Sequence, residues 1–259
     1  MMVGVIQVRM GSTRLPGKAL KKILGKPLLW HLCRRVRAAS LLDRVVIATA
    51  AGAENQPIVD FARDFGIDCF AGSEQDLVDR FYRTAQKFGA TALVRVTGDC
   101  PLADPGVIDA MVRHFQANSS KYDYISNAIK PTFPDGLDLD IFSSATIERM
   151  HREVKDPFWR EWFTSFLREH PADYRIANFE NDTDLSALRW TVDYREDFDF
   201  TEAVFSRLYP RKKIFVMEDI LELLKTEPSL GDMNRKYLRD AAYDAAKKAC
   251  LPAGREAGK

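Results

Sequence analysis

The stretch of sequence that decides the fold lies near the N-terminus and reads VGVIQVRMGSTRLPGK at residues 3–18. Its first part, Val3–Val8, is a short apolar run, which is typical of a strand buried inside a sheet. Its second part, Arg9–Lys18, holds three cations, two glycines and two hydroxyl side chains, which is typical of a loop. Because open α/β sheets bind ligands in the loops that follow their strands, this stretch predicts both a sheet and the place of its ligand.

Outside this stretch, apolar β-branched runs alternate with helical patterns up to about residue 118. Two further strands are predicted at Val45–Thr49 and Ala92–Val96. Helices are predicted at Leu28–Ala39, Asn55–Phe65 and Ser73–Phe88, and a fourth begins at Asp104-Pro105. Strands that alternate with helices favour an α/β fold, in which helices cover both faces of a parallel sheet.

The pattern changes after Ser119. Strands are predicted at Tyr122–Asn127, Leu137–Phe142, Arg175–Phe179 and Leu188–Val192, and helices at Ser144–Glu153, Phe158–Glu169 and Asp197–Tyr209. Since no flexible linker marks residues 119–188, we interpret them as an insertion or lid within one domain of residues 1–232. The remaining unit, 233–259, predicts an amphipathic helix at Met233–Lys248 and a loose tail at Pro252–Lys259.

Composition and charge exclude several classes of protein. Lys and Arg number 38 and Asp and Glu 37, so no net field draws the chain to nucleic acid or to an anionic membrane. The chain shows neither a secretory signal nor an apolar run of roughly eighteen residues that could span a membrane, so we expect a cytoplasmic protein. Its four cysteines and four histidines are scattered, which disfavours disulfides and zinc and leaves Mg²⁺ on oxygen ligands as the expected metal.

The loop Arg9–Lys18 has the chemistry of a phosphate-binding site. Its glycines let the backbone approach a phosphate closely, and its Arg and Lys side chains neutralise the charge. It is not a P-loop, because five residues separate Gly11 from Gly17 and Ala19 follows Lys18, and the chain has no GxGxxG motif. The alternative, a solvated turn with incidental charges, fits poorly with so many Gly, Arg and Lys residues directly after a buried strand.

Two aspartates that follow predicted strands are candidate metal ligands. Asp99 comes after the strand that begins at Ala92, and Asp193 comes directly after Val192, so both carboxylates are expected at the rim of the sheet. There they could hold a Mg²⁺ ion that bridges the phosphate oxygens of a substrate. The alternatives are that both cap helices, or that the second ligand lies at Asp138 or Asp140 instead.

Several segments together resemble the cytidylyltransferase family, which includes the acylneuraminate and octulosonate synthetases, and most closely its spore-coat polysaccharide branch. They are Gln7–Lys18, ILGKPL at 23–28, GSEQDLVDRF at 72–81, RVTGDCPL at 95–102, PDGLD at 134–138 and RWTVD at 189–193. The resemblance covers about residues 3–210. It implies the three-layer α/β/α sandwich of nucleotide-diphospho-sugar transferases, with a mostly parallel sheet, an inserted lid or dimerisation region, and a homodimer.

The resemblance also implies an activity, the Mg²⁺-dependent transfer of a cytidylyl group from CTP to an acidic sugar for polysaccharide or glycan biosynthesis. The nucleotide-binding residues that it implies are Gln7, Arg9, Gly11, Ser12, Arg14, Lys18, Ser73, Asp79, Arg80 and Thr97. It further implies catalytic roles for Lys18, Arg9 and Asp99, substrate contacts for Asp138 and Arg160, and metal ligation by Asp99 and Asp193. For Asp79, Arg80 and Arg160 the alternative is a charge on a helix surface.

One departure from the family pattern concerns the acceptor. Relatives in this branch often carry Arg-Glu-His and then Thr-Pro, where this chain has Trp162 in place of the His and Ser165 in place of the Pro. The identity of the acceptor therefore stays open. Two alternatives to cytidylyl transfer from CTP to an acidic sugar also stay open. The chain could use another nucleotide or a non-sugar acceptor such as a phosphonate, or it could be a non-catalytic nucleotide-binding protein on the same fold.

Overall fold

A mostly parallel sheet forms the centre of the computed structural model, which describes residues 1–250. The strands are β1 (Met2–Gln7), β2 (Lys22–Ile23), β3 (Lys26–Pro27), β4 (Arg44–Ala50), β5 (Asp68–Gly72), β6 (Ala92–Thr97), β7 (Tyr124–Ser126), β8 (Asp140–Ser143) and β9 (Ile176–Asn178). Seven of them form the main sheet in the order β5-β4-β1-β6-β8-β7-β9, and β2 pairs with β3 in a small hairpin. The predicted α/β fold is thus confirmed.

The N-terminal strand β1 lies near the middle of this sheet. It pairs in parallel with β4, where Val3 faces Arg44, and with β6, where Met2 faces Ala92. Strand β5 continues the parallel arrangement beyond β4, and β8 is the strand that runs antiparallel to its neighbours. The carboxyl ends of β1, β4, β5 and β6 therefore share one edge, and the loop Arg9–Lys18 leaves the sheet there.

Helices cover both faces of the sheet. They are α1 (Leu28–Val36), α2 (Gln56–Phe65), α3 (Leu77–Phe88), α4 (Pro105–Ala117), α5 (Ser144–Glu153), α6 (Pro157–Glu161), α7 (Phe163–Glu169), α8 (Arg195–Leu208), α9 (Met217–Thr226), α10 (Ser229–Asp232) and α11 (Ala241–Cys250). Apolar residues of α1, α2, α4, α8 and α9 pack on one face, and those of α3, α5 and α7 pack on the other. The result is the three-layer sandwich that the resemblance implies.

The alternation of side chains along β1 and β4 explains the two apolar layers. Ile6 and Ile47 point into the layer under α1, whereas Val5 and Val46 point into the layer under α3. All four side chains are fully buried. Because successive residues of a strand face opposite sides, a continuous apolar run is what a strand covered on both faces requires.

Residues 119–188, which the sequence predicts to be an insertion, extend the sheet. Strand β7 pairs with both β8 and β9, and β8 also pairs with β6. The predicted strand at Leu188–Val192 is wrong, since in the described chain this segment forms an isolated bridge between Arg189 and Asp135. The reason is that its backbone crosses the rim of the sheet, where Trp190 N–H donates to Asp135 and Val192 N–H to Asp99.

The helical predictions after residue 150 need two corrections. The predicted helix Phe158–Glu169 is split at Trp162, whose φ of −101° and ψ of 44° interrupt the helical backbone. The predicted C-terminal helix begins at Ala241 rather than at Met233, because residues before it are held in an irregular path that includes a left-handed backbone at Asp240. The tail Pro252–Lys259 lies outside the described residues, and the boundary at residue 232 stays a prediction.

Among residues 1–250, no helix combines the length and the apolar character that a membrane span would need.

Candidate functional site

A cavity of about 500 Å³ opens at the edge of the sheet where the parallel strands end. Its volume is within the range of small-molecule and cofactor sites. Most of the residues predicted for the site line it, namely Gln7, Arg9, Gly11, Ser12, Arg14, Lys18, Arg80, Thr97, Asp99, Asp138 and Asp193. The structure thus brings together residues from five separate parts of the sequence.

The loop after β1 is tied down at both ends. Met10 N–H donates to the Asn55 side chain at 2.9 Å, and the buried side chains of Leu15 and Ala19 fix the second half of the loop to the core. Gly17 has a φ of 67°, a left-handed backbone that glycine adopts without a steric penalty. This turn begins the short 3₁₀ helix Lys18–Leu20 and directs Lys18 into the cavity.

The ammonium group of Lys18 lies between the two predicted metal ligands. Its Nζ donates to Asp99 Oδ2 at 3.1 Å, to Asp193 Oδ1 at 2.9 Å and to the Val192 carbonyl at 2.7 Å. Arg14 reaches the same Oδ1 of Asp193 at 3.0 Å. Two cations of the loop after β1 and two carboxylates from the sheet rim therefore meet at one point.

Backbone contacts explain why Asp99 and Asp193 meet. The segment before Asp193 crosses the end of β6, where Val192 N–H donates to the Asp99 carbonyl at 2.8 Å and the Thr191 hydroxyl to the same oxygen at 3.3 Å. Asp193 is in turn held by Asp197, whose carboxylate accepts from the backbone N–H groups of Asp193 and Tyr194, both at 2.9 Å. Both aspartates are thus fixed through the main chain.

Arg189 is a buried cation that supports this arrangement from behind. Its guanidinium donates to Asp197 at 2.9 and 3.0 Å, to Asp135 at 2.8 Å and to Asp193 at 3.3 Å. Bidentate pairing of Arg with a carboxylate is strong and directional. Arg189 therefore holds Asp193 in position at the rim of the sheet, both directly and through Asp197.

The charges in the centre of the cavity hold each other ionised. Burial alone would raise the pKa of Asp99, but the Lys18 ammonium and the Thr97 hydrogen bond outweigh it and lower that pKa to about 2. Burial would likewise lower the pKa of Lys18, and the two carboxylates raise it instead. Lys18 and Asp99 are therefore both charged over the physiological pH range.

The donor set at this point fits a hard divalent cation that is also bound by substrate. Asp99 and Asp193 converge on one cation, Lys18 Nζ, and each supplies carboxylate oxygens. Within residues 1–250, no three His, Cys, Asp or Glu side chains group as a metal site. The protein can thus offer two carboxylates and leave the other positions to phosphate oxygens and water, which is how Mg²⁺ usually binds at phosphate sites.

One end of the cavity lies beside β5 and α3. There the buried Arg80 donates from Nε to the Ser73 carbonyl at 2.8 Å and from Nη2 to the Glu74 carbonyl at 3.0 Å. Burial lowers the pKa of Arg80 to about 10, so it remains a cation at neutral pH. Arg9 and Glu74 form a long, exposed ion pair at 3.7 Å nearby, which contributes little stability.

The other end of the cavity, beside β8, is rich in aspartates that are paired with arginines. Asp140 is buried and receives Arg95 at 2.7 Å and Arg168 at 3.0 Å. Burial and Asp138 raise the pKa of Asp135 to about 7, more than the nearby arginines lower it. We call this end, formed by Asp135, Asp138, Asp140 and Arg168, the β8 end of the cavity.

Gly136 is required by the close approach of two chain segments at the β8 end. Its φ is 109°, and a Cβ atom built on it would lie 2.4 Å from the Thr191 nitrogen and 2.5 Å from the Trp190 carbonyl carbon. Those neighbours are backbone atoms that cannot move aside without breaking the bridge to Asp135. The close approach of the two backbones thus explains why glycine is the third residue of the PDG sequence at 134–136.

Three residues predicted for the site do not line the cavity. Asp79 pairs with Arg83 at 2.8 Å and with His151 at 3.1 Å on the outer side of α3. Arg160 pairs with Asp76 at 2.7 Å, and Ser73 accepts from the Asp76 backbone at 3.1 Å. Roles of Ser73, Asp79 and Arg160 as ligands stay predictions. Ser73 and Arg160 contact Asp76 in the turn that precedes α3, whereas Asp79 connects α3 with α5 through His151.

Sequence reasoning assigned no role to several charged residues at the β8 end. Asp135, Arg95 and Arg189 stand inside the motifs that carry the family resemblance, so a signal for them was present. Arg168 lies in α7 and Arg239 beyond the last motif, and neither has a local pattern that indicates a site. Only the packing of distant segments brings Arg168 to the cavity and Arg239 to the carboxylate of Asp138.

Comparisons of the sequence with known proteins agree on one family. The family model described as cytidylyltransferase matches residues 3–227 of this chain. The spore coat polysaccharide biosynthesis protein SpsF of Bacillus subtilis is 31% identical over 231 residues, which cover 86% of this chain and 94% of that protein. A 3-deoxy-manno-octulosonate cytidylyltransferase of Geobacter metallireducens is 33% identical over 118 residues, 45% of each chain.

A solved structure supports the same assignment. The structure of a cytidylyltransferase from Leptospira borgpetersenii superposes with a TM-score of 0.86 and 29% sequence identity. The match covers 92% of this chain and 99% of that one. The similarity therefore extends well beyond the sheet and includes most of the helices around the cavity.

Proposed function

Since the chain belongs to the cytidylyltransferase family, and is thus an enzyme, we propose that it transfers a cytidylyl group from CTP to an acidic sugar and releases pyrophosphate. The observation that carries this proposal is the position of Lys18 between Asp99 and Asp193, beside a glycine-containing loop with two further cations. An acidic sugar is proposed because a relative is named a 3-deoxy-manno-octulosonate cytidylyltransferase. A surface polysaccharide or glycan is the proposed destination, in line with the name of the SpsF relative.

The loop after β1 is proposed to bind the triphosphate. Arg9, Arg14 and Lys18 supply positive charge, and the backbone between Gly11 and Gly17 supplies N–H donors, with the Ser12 hydroxyl beside them. In the reaction an acceptor hydroxyl attacks the α-phosphorus, and the bond from that phosphorus to the oxygen that bridges to the β-phosphate breaks. Negative charge then grows on the departing pyrophosphate, so cations fixed in advance lower the barrier.

Asp99 and Asp193 are proposed to hold Mg²⁺, which when bound supplies Lewis-acid stabilisation of the phosphate oxygens. Their own task is positional, because both are anchored through the main chain at Thr191, Val192 and Asp197. Lys18 keeps the Asp99 carboxylate ionised and is placed to donate to a phosphate oxygen. Anchored ligands cost little reorganisation when the nucleotide arrives.

The nucleoside is proposed to lie toward the α3 end of the cavity. The cavity wall from the α3 end to the middle of the sheet is formed by Arg80, Thr97 and Gln7. Gln7 is oriented by Arg95, whose Nε donates to Gln7 Oε1 at 2.7 Å. The acceptor then occupies the β8 end, so the two substrates meet at Lys18.

Four nucleotides distinguish this proposal from its alternatives. We expect CTP to bind more tightly, and to be turned over faster with Mg²⁺ and an acidic sugar, than UTP, ATP or GTP. Calorimetric titration measures binding, and pyrophosphate release measures turnover. Equal or better turnover with UTP would contradict CTP as the donor, and nucleotide binding without any pyrophosphate release would indicate a non-catalytic protein. Light scattering on the same sample tests the proposed homodimer.

Carboxamide variants test the shared metal. Asp99→Asn and Asp193→Asn are each expected to lower kcat by at least ~100-fold, because an amide oxygen is a weaker ligand for a hard cation. The double variant should lose little more than either single one, since groups that act as one unit are not additive. Steady-state kinetics as a function of Mg²⁺ concentration measures all three.

The exposed Asp64, which pairs with Arg63 on the surface, provides the matched control Asp64→Asn, and its kinetics should not change. If both cavity variants stay folded, active and equally dependent on Mg²⁺, the shared site is wrong. If Asp193→Asn alone is benign, the second ligand must be sought at Asp138 or Asp140.

A further inference from the structure

The positive charge of the chain is concentrated at its N-terminal end. Residues 1–42 hold nine of the 38 Lys and Arg residues and none of the 37 Asp and Glu residues, so the rest of the chain is net acidic. The balance of +1 over the whole chain, from which no attraction to an anionic surface is expected, does not reveal this asymmetry. Three of the nine cations belong to the loop after β1 and Arg35 is buried, which leaves five for the protein surface.

Four of these five cations lie on the small hairpin of β2 and β3 and on the outer side of α1. Lys22 and Lys26 are exposed on the hairpin. Trp30, Arg34 and Arg37 follow at the spacing i, i+4 and i+7, which places them on one side of the helix. Since the other side of α1 packs into the core, this stripe forms part of the protein surface.

A row of aromatic side chains lies beneath these cations. The ring centres of Phe65 and Trp30 are 6.4 Å apart, those of Trp30 and His31 are 5.1 Å apart, and those of His31 and Tyr209 are 5.6 Å apart. The row therefore connects α2, α1 and the end of α8 into one continuous surface.

Lysine and arginine side chains cover the rings of this row that reach the surface. Over Trp30, Lys26 Nζ lies 5.6 Å and Arg34 Cζ 5.1 Å from the ring centre. At the two ends of the row, Arg37 and Lys213 lie over the first and the last ring, at 5.1 and 4.2 Å. Each of these cations is thus held in place by an aromatic ring rather than by a carboxylate.

Six exposed cations on this side of the molecule have no ion-pair partner among residues 1–250, and we call them the basic surface: Lys22, Lys26, Arg34, Arg37, Arg211 and Lys213. The acids nearest to them along α2, α8 and α9 are Asp60, Asp64, Glu202, Glu218 and Asp219. Arg63 pairs with Asp60 at 2.9 Å and with Asp64 at 3.3 Å, and Lys212 pairs with Asp219 at 2.6 Å. With these two paired cations included, eight cations face five acids, which leaves an excess of three positive charges.

An unusual leucine forms the tip of the hairpin, between Lys22 and Lys26. Leu24 has a φ of 49°, a left-handed backbone that is costly for a bulky side chain, and 47% of it is exposed. It is therefore neither well packed nor in a favourable backbone conformation. An apolar tip flanked by cations is typical of segments that insert into the headgroup region of a bilayer, where the cations bind lipid phosphates.

We propose that the basic surface and Leu24 attach the protein to a bilayer that contains anionic lipids. Lipid phosphates supply the negative charge that this surface lacks, and the tip of the hairpin enters the interface. A nucleic acid is the other polyanion that binds cations, but it uses aromatic residues by stacking bases on open ring faces, and here Lys and Arg side chains already cover those faces. The attachment is independent of the reaction in the cavity.

Sedimentation of the full-length protein with vesicles tests the attachment. The vesicles are made of phosphatidylcholine alone or with about 40% phosphatidylglycerol, at about 0.1 M salt. We expect wild type to bind the anionic vesicles at least about tenfold more strongly than the neutral ones, and to be released at about 1 M salt. Lys26→Gln/Arg34→Gln should weaken binding to the anionic vesicles by about tenfold.

Leu24→Asn separates attachment from a structural role of the tip. Because asparagine adopts a left-handed backbone more readily than leucine, the midpoint of thermal unfolding should stay the same or rise, while binding to the anionic vesicles should fall about fivefold. The control variant Arg152→Gln/Arg235→Gln removes the same number of charges from exposed pairs elsewhere, so it should bind within about twofold of wild type.

Four results would overturn the proposal. Wild type does not bind the anionic vesicles, or the control variant loses as much binding as Lys26→Gln/Arg34→Gln, or Leu24→Asn binds as well as wild type. The fourth is that a DNA or RNA oligonucleotide, offered at the same phosphate concentration, binds more tightly than the vesicles, which would assign the basic surface to nucleic acid.

Discussion

Replacing Lys18 by alanine is expected to lower kcat/KM for CTP by roughly 2–4 kcal/mol, which corresponds to about 30- to 1000-fold. Lys18 Nζ lies within 3.1 Å of both carboxylates at the centre of the cavity, where the charge of the departing pyrophosphate must be stabilised. Its loss removes the cation that lies between Asp99 and Asp193, so that Asp193 keeps only Arg14 and Arg189 as partners. Pyrophosphate release at varied CTP concentration measures the effect, and both a higher KM and a lower kcat are expected.

The neighbouring Lys22 provides the control for this variant. Its side chain is exposed on the small hairpin, so Lys22→Ala should leave kcat/KM unchanged. Thermal unfolding of both variants separates a catalytic loss from misfolding. Wild-type kinetics in a folded Lys18→Ala protein would remove the loop after β1 from the mechanism.

Replacing Asp140 by asparagine should give the largest loss of stability among the cavity variants, ~3–5 kcal/mol in the free energy of unfolding. The carboxylate is buried and accepts from Arg95, Arg168 and the Tyr124 hydroxyl. An amide cannot neutralise two guanidinium groups, so the variant would bury charge without compensation. Chemical denaturation at pH 7 measures the loss, and the midpoint of thermal unfolding should fall by about 10 °C.

The contribution of Asp140 should also depend on pH. Burial raises its pKa, but Arg168 and Arg95 outweigh burial and lower the pKa to about 2. Because the unfolded chain titrates near pH 3.9, the stabilisation is complete above that pH and is lost as the pH falls toward 2. The surface variant Asp60→Asn, which breaks an exposed pair with Arg63, should cost less than about 1 kcal/mol. Equal losses for both variants would show that the buried cluster is not a stabilising unit.

The central part of the fold could be predicted because the local pattern and the packing agree there. The apolar run at Val3–Val8 and the β-branched run at Val45–Thr49 became β1 and β4, each one residue or so from its predicted bounds. Helix signals such as Asp104-Pro105 also held, since Asp104 accepts from the N–H groups of Gly106 and Val107. In these elements the local sequence pattern and the tertiary packing favour the same structure.

The rim of the sheet could not be predicted in the same way. Residues 188–192 are apolar enough for a strand, yet their hydrogen bonds go to loops at Asp99 and Asp135, which are distant in sequence. The start of the last helix was placed too early because Asn234, Tyr237 and Arg239 are held by tertiary contacts that no periodicity reveals. Tertiary contacts overrode helical propensity in that segment.

The candidate site likewise contains some residues that could be predicted to meet at the cavity and others that could not. Chemistry and position after a strand predict Lys18, Asp99 and Asp193, and the structure brings these three together. Motif position alone predicts Asp79 and Arg160, and their side chains pair outside the cavity. A charge near a motif is a weak signal unless a strand end also places it at the rim.

Cytidylyl transfer in this cavity can be followed in a single reaction by ³¹P NMR. Wild-type protein is incubated with CTP, Mg²⁺ and an excess of 3-deoxy-manno-octulosonate or N-acetylneuraminate, with Lys18→Ala in parallel. We predict that the triphosphate signals of CTP are replaced by pyrophosphate and by a single phosphodiester resonance of a CMP-sugar, and that Lys18→Ala forms the same product far more slowly. Release of inorganic phosphate with CDP, or an unchanged CTP spectrum with every acid offered, would rule out cytidylyl transfer to these acids.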